Sequence, residues 1–364
     1  MGINHNLEIQ KLLLQRKQVD DIRAGIKILK QAIQIADAHQ DIDWGFDLRL
    51  RLMNEEADLF ECQESFPAFS WLLEVYDANP GYFDDEDFLW FYNMMFTSCT
   101  ANASISKQQM LDIAEDYKNK LIKASFSLRS YYHLLVLFYI RTKDFEKSLE
   151  FLELGKGEVI DSLSGGSNIV WEKEIKIGNL LALDRIDEAL SEIREFFFVR
   201  DKHNITAFCA YLEIAFYYSK INDHENALEY LEKGIELYDH DGLYKTNSIT
   251  TTKAMYMYLL YIYGKEGYLE LYEELSSWGE EIEDFSLFYF SKFAAVIFRD
   301  GGKGKLSLSP RLSVYREDDN YDFAVLHEFY KNKAFELADK FDIRNENSWQ
   351  RDEFERLLVN KYVE

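Results

Sequence analysis

Proline is nearly absent from this chain, with 3 in 364 residues, and glycine is sparse at 17. Both residues interrupt helices, so their scarcity favours a helical fold. Cysteine is scarce too. Cys62, Cys99 and Cys209 are odd in number and far apart. That pattern is neither a disulfide framework nor a zinc spacing, and it points to reduced thiols in a cytoplasmic protein. Cys62 and Cys209 fall in helical patterns, where the residue acts as a small hydrophobe. No apolar stretch reaches the roughly 18 residues of a membrane span. The opening MGINHNLEIQKLLLQRK has no long apolar core and no cleavage-type ending, so it does not read as a signal peptide. Asn6 stands where a myristoylation signal needs Ser or Thr.

Positive charge is also short. Lys and Arg number 41 against 65 Asp and Glu, a net charge of −24. Binding through a nucleic-acid backbone needs a basic face, so that class is excluded. An anionic membrane is disfavoured for the same reason. A protein or peptide partner is expected, and a basic one fits better. The same acidity would by itself keep an aromatic-rich chain soluble.

Catalytic and metal motifs are missing as well. No two of the seven His residues make a metalloprotease helix. Asp239-His240-Asp241-Gly242 opens like a calcium loop, but Thr250 stands where the closing Glu is required, so it reads as a helix-ending turn. The run Asp84 to Asp87 suits the positive end of a helix better than a metal. Gly155 to Asn168 is glycine-rich, yet Lys156 is followed by Gly157 and a helix precedes it, so it reads as an inter-hairpin loop. There is no Gly-x-Ser-x-Gly elbow and no dinucleotide fingerprint. No catalytic residue, metal ligand or cofactor is expected.

What the chain does have is aromatic residues, at 16%, and apolar residues at helical spacing. Ala207 to Leu237 reads as two helices joined by a polar turn. Tyr211, Ile214, Ala215 and Tyr218 lie on the first helix; Ala227, Leu231 and Gly234 lie on the second. Large residues fill the wide gaps of the hairpin, and small ones sit where the backbones cross. A second good copy lies at 126–154, and weaker copies follow the same plan at 6–38 and 169–197. Asn79-Pro80-Gly81 ends one helix, and Ser106 with Gln109 makes a capping box for another. The small positions Ser148, Ala189 and Ala227 are 41 and 38 residues apart, so the array is irregular.

The 207–237 series resembles a tetratricopeptide repeat, or TPR, whose strict period is about 34 residues. The whole chain is similar to bacterial proteins of that kind. Such relatives carry a Cys-x-x-Cys at the segment that is Ser164 to Ser167 here, so any metal or redox role does not carry over. The resemblance implies an all-α fold: a right-handed TPR-like solenoid of about six or seven helical hairpins over 6–299. A basic Gly- and Ser-containing loop at 300–319 breaks the pattern, and 320–364 forms C-terminal capping helices. Over Asp300 to Arg316, linkage or disorder is expected ahead of a binding or hairpin-forming loop.

The resemblance also places a partner groove on the first helix of each pair. It assigns Leu212, Phe216 and Lys220 in the best copy, beside Cys209 and Ser219. In the copy around Ser148 it assigns His133 and Arg141, beside Ser130, Leu137 and Ile140. The carboxylate clamp of the family is not matched. Lys303, Lys305 and Arg311 are candidate contacts in the insert. The expected function is a protein- or peptide-binding scaffold in a bacterial cytoplasm. A regulatory peptide receptor of a signalling system, or an enzyme or effector with a hidden site, are the alternatives. The sequence leaves the oligomeric state open.

Overall fold

The computed structural model describes residues 4–59, 61–164, 167–196, 204–240 and 250–360. Gly165 and Gly166 of the glycine-rich loop, Asp241, Gly242 and the last four residues of the expected cap lie outside them. The fold is all-α, with seventeen helices among the described residues and two strands of three residues each. The chain divides into two compact units, Met1–Cys99 with Glu281–Glu283, and Thr100–Glu280 with Asp284–Glu364.

In the first unit α1 (His5–Arg16), α2 (Ile22–Ala38), α3 (Ile42–Ala57) and α4 (Ser65–Ala78) pack in succession. Asn4, Asp21 and Asp41 cap the first three through their side chains. α5 (Asp85–Ala101) follows, after Gly81 takes φ +76° beyond Pro80.

The second unit starts with α6 (Lys107–Ala124), whose Ser106 and Gln109 form the expected reciprocal cap. Five helix pairs follow: α7 (Arg129–Thr142) with α8 (Phe145–Lys156), α9 (Ser167–Ala182) with α10 (Ile186–Phe196), α11 (Asn204–Lys220) with α12 (His224–His240), α13 (Thr250–Ile262) with α14 (Tyr268–Ser276), and α15 (Asp284–Ile297) with α16 (Phe323–Asn345). α9, α11, α13 and α15 also pack side by side in that order. α17 (Trp349–Val359) lies against α15 and α16.

Four of the pairs share one turn. Lys143, Asp184, Asn222 and Gly264 each adopt a left-handed backbone, with φ of 68, 58, 59 and 61°. The next residue donates its N–H five residues back: Asp144 to Tyr139, Arg185 to Leu180, Asp223 to Tyr218 and Lys265 to Leu260, at 2.8–3.0 Å. These are Schellman closures, which satisfy the carbonyls left over at a helix end. Asp144 and Asp223 then cap the following helix. The small residues meet the expected need: Ser148, Ala189 and Ala227 are fully buried. A Cβ on Gly234 would lie 2.9 Å from a Leu212 methyl, so glycine is what lets α11 and α12 approach there.

The insert at 300–319 corrects an expectation. The hairpin-forming alternative holds, and the stretch is not a structureless linker. β1 (Lys303–Lys305) pairs antiparallel with β2 (Asn320–Asp322). Leu306, Leu308 and Leu312 are buried. Glu273 and Glu280 accept the backbone N–H groups of Ser307 and Ser313, both at 2.7 Å. Apolar burial and charge-assisted bonds together hold a stretch that lacks any helical pattern.

Candidate functional site

α15 carries Phe285, Tyr289 and Phe293 four residues apart, so one helix face presents three rings. The centroids of Phe285 and Tyr289 are 4.6 Å apart, and those of Tyr289 and Phe293 are 6.2 Å apart. Phe216 of α11 meets Phe293 edge-on at 5.8 Å. Cations stand over this row. The Arg141 guanidinium lies 3.3 Å from the Phe285 centroid. The Lys292 ammonium is 3.8 Å from Tyr289 and 4.9 Å from Phe293. The Lys220 ammonium is 5.1 Å from Phe216. Ring faces carry partial negative charge, and this attracts the cations.

α17 runs past the row. Trp349 at its start meets Phe145 edge-on at 5.2 Å. In its middle Glu353 accepts from Lys292 at 2.6 Å, a pair in which the lysine is wholly buried. Just beyond its end, Asn360 reaches the Ser219 carbonyl and the Tyr258 hydroxyl, both at 3.4 Å. The turn before α17 is tied to α7: Asn345 donates to the Arg141 carbonyl at 2.9 Å, and Asn347 donates to that of Thr142 at 3.1 Å.

The charges here are strongly coupled. Burial alone would raise the Glu353 carboxyl, but Lys292, Lys220 and Lys143 outweigh it and hold it down at about 2. Burial lowers Lys292, against the pull of Glu353. Burial also lowers Lys220, which Glu353 and Asp184 oppose and Lys292 and Arg356 reinforce. Lys220 is nonetheless exposed to solvent.

Two carboxyls lie close by. Burial and the neighbouring Glu174 push Glu213 of α11 up to about 8, with Lys220 opposing. Burial pushes Glu174 of α9 up to about 7, against a hydrogen bond with Cys209. A Cβ on Gly178 would stand 2.8 Å from the Glu213 Oε2, so this glycine makes room for the carboxyl. That oxygen is buried with no hydrogen-bond partner among the described residues. A protonated carboxyl satisfies such a position better than a charged one does.

Of the residues expected to line a groove, Arg141, Phe216 and Lys220 come together on this row. Two do not. Leu212 is fully buried against α12, so no partner can touch it. His133 is buried too, with Nε2 2.7 Å from Glu172, a carboxylate that also holds Arg129 at 2.6 Å. Burial would raise Glu172, but the hydrogen bonds of His133 and Arg129 win and lower it. Both side chains are taken up by neighbours inside the fold, Leu212 by α12 and His133 by Glu172 of α9, so neither is left for a groove. Lys303, Lys305 and Arg311 are exposed on the 300–319 insert, and Arg311 donates to the Ser277 carbonyl.

Tyr289, Lys292, Glu213 and Glu353 were not picked out from sequence. A signal existed for two of them. Lys292 interrupts the apolar run of α15, and Glu213 is the lone acid of α11. A charge inside an apolar helix is expensive and so marks a paired or neutralised group. Among the described residues no group of three or more His, Cys, Asp or Glu could hold a metal ion, and no helix is long and apolar enough to cross a membrane. Compared with known proteins, the chain matches no family model and no curated sequence.

Proposed function

We propose that the chain is a protein- or peptide-binding scaffold of the TPR-like kind, without enzymatic activity, acting in a bacterial cytoplasm. In this reading the pairs from α7 to α16 continue as a right-handed superhelix, and the row on α11 and α15 is its receiving face. The observation that supports it most is the convergence of Phe216, Lys220 and Tyr289. They come from two helices and remain in contact with solvent. Converging aromatic and cationic groups make good anchors for a partner. The repeated turn at Lys143, Asp184, Asn222 and Gly264 supports the repeat reading. The net charge of −24 favours a partner with basic surface around that anchor.

The test is affinity capture with the tagged full chain from bacterial lysate, beside Phe216→Ala. One partner in stoichiometric amount, lost with Phe216→Ala while circular dichroism is unchanged, is the expected result. A partner retained by the variant would move the docking face elsewhere. No stoichiometric partner would count against the scaffold.

A further inference from the structure

The buried face of α17 is half polar. It consists of Gln350, Glu353, Phe354 and Leu357. Phe354 is fully buried and meets Phe335 of α16 at 4.8 Å between ring centroids, and Leu357 is buried as well. These two side chains supply the apolar hold. Glu353 adds its ion pair with Lys292 at 2.6 Å. Desolvation offsets most of the attraction in a buried pair, so it fixes where the helix sits more than how tightly.

Gln350 works against the docked position. It is fully buried, and neither Oε1 nor Nε2 has a hydrogen-bond partner among the described residues. A dry, unpaired amide opposes burial, and water would satisfy both atoms once the helix lifted. The N–H groups of Gln350 and Arg351 bond to Asp342 at 3.0 and 2.9 Å, and water would replace those bonds too.

The two ends of α17 are fastened differently. Ahead of it, Asn345 and Asn347 bond to the end of α7 through side chains that are not part of the helix. At the far end, Arg299 donates to the Leu357 carbonyl at 3.4 Å and to the Asn360 carbonyl. Asn360 reaches Ser219 and Tyr258 at 3.4 Å, a long distance for a hydrogen bond. The base is anchored, and the helix beyond it is held by two apolar side chains, one ion pair and long terminal bonds. Under it lies Lys292, which is wholly buried beside Tyr289 and Phe293 and takes its carboxylate from α17.

We infer that α17 is a releasable strap over the row. In the free chain it fills the partner's place, and the partner is an amphipathic helix that displaces it. That helix carries a carboxylate for Lys292 and an apolar side chain where Gln350 lies. It keeps the ion pair and avoids the stranded amide, so it gains over α17 on the same face. While the strap is up, water reaches Lys292. This rests on the row being the receiving face.

The test follows native-state hydrogen exchange of the full chain by mass spectrometry, beside Gln350→Leu. The α17 amides should exchange at least about tenfold faster than those of α15 and α16. Gln350→Leu should slow α17 about tenfold and leave α15 and α16 unchanged. The binding probe is a synthetic peptide with the sequence of 345–360 carrying Gln350→Leu. It should bind the wild-type chain saturably and the Gln350→Leu chain about tenfold more weakly, because that strap stays closed. The same peptide with Glu353→Lys should not bind. Exchange of α17 no faster than that of α15, no slowing by Gln350→Leu, or no binding of the peptide to the wild type each overturn the inference. So does a captured partner that Phe216→Ala loses and Gln350→Leu retains in full. If the strap fails while Phe216→Ala still loses the partner, the receiving face stands. If the strap opens and takes the peptide but Phe216→Ala keeps its partner, the failure lies with the receiving face and not with the strap.

Discussion

Replacing Glu213 with Gln removes a carboxyl whose ionisation the fold opposes. Its ordinary value is 4.5, and in the folded chain it is pushed up to about 8 by burial and by Glu174. Well below the lower value the group is protonated in both states and adds no pH dependence. Between the two values the folded chain keeps a proton that the unfolded chain releases, so stability falls as pH rises. Above the upper value the loss is complete. At 1.36 kcal/mol per pH unit the window gives a ceiling of ~5 kcal/mol. Glu213 keeps partial solvent contact, Lys220 lies near, and the repulsion is shared with Glu174, so about 2 kcal/mol is the expected size. The assay is urea unfolding of wild type and Glu213→Gln, at about pH 5 and about pH 9. The variant should match the wild type at the lower pH and exceed it by about 2 kcal/mol at the higher one. Groups not coupled to Glu213 cancel in the difference. An equal difference at both pH values, or none at either, would refute the reasoning.

Two further outcomes follow from the same part of the molecule. Gly178→Ala should lower stability by about 1–2 kcal/mol in urea, despite alanine's better helix propensity, because the new methyl would displace the Glu213 carboxyl. Glu172→Gln should cost about 3 kcal/mol, because it strips the buried Arg129 of its counter-charge. A change within a few tenths of a kcal/mol would show that Arg129 is neutralised by other groups.

Much of the fold was legible because it rests on local rules. Apolar residues at helical spacing placed the helix pairs, and Asp144 and Asp223 stood at the turns where caps belong. Ser148, Ala189 and Ala227 marked the close crossings because only small side chains fit there. The insert was expected as linkage or disorder ahead of a hairpin because a long stretch breaks the helical pattern. Its signal was Leu306 and Leu308, two apart, the period of a strand-like segment with one face buried. The site was harder. Arg141, Phe216 and Lys220 could be proposed from the repeat frame, but Leu212 is taken up by the contact with Gly234 of α12, which the frame of the first helix alone does not show. Lys292 and Glu353 are 61 residues apart, and nothing local links them. Their meeting depends on where α17 settles, which is a property of tertiary packing.

The bonds from Asn345 and Asn347 to the end of α7 have a consequence for how the second unit is made. They join residues 204 and 205 positions apart. In a plain row of hairpins each pair leans only on its neighbours, so the row can grow from one end and fray from the other. Here the last helices reach back to the first pair, and the buried Lys292 has its counter-charge only once Glu353 has arrived. Early hairpins can form as they are synthesised. The row cannot reach its final electrostatic balance until α17 exists, so its assembly is governed by a late, long-range closure rather than by stepwise growth.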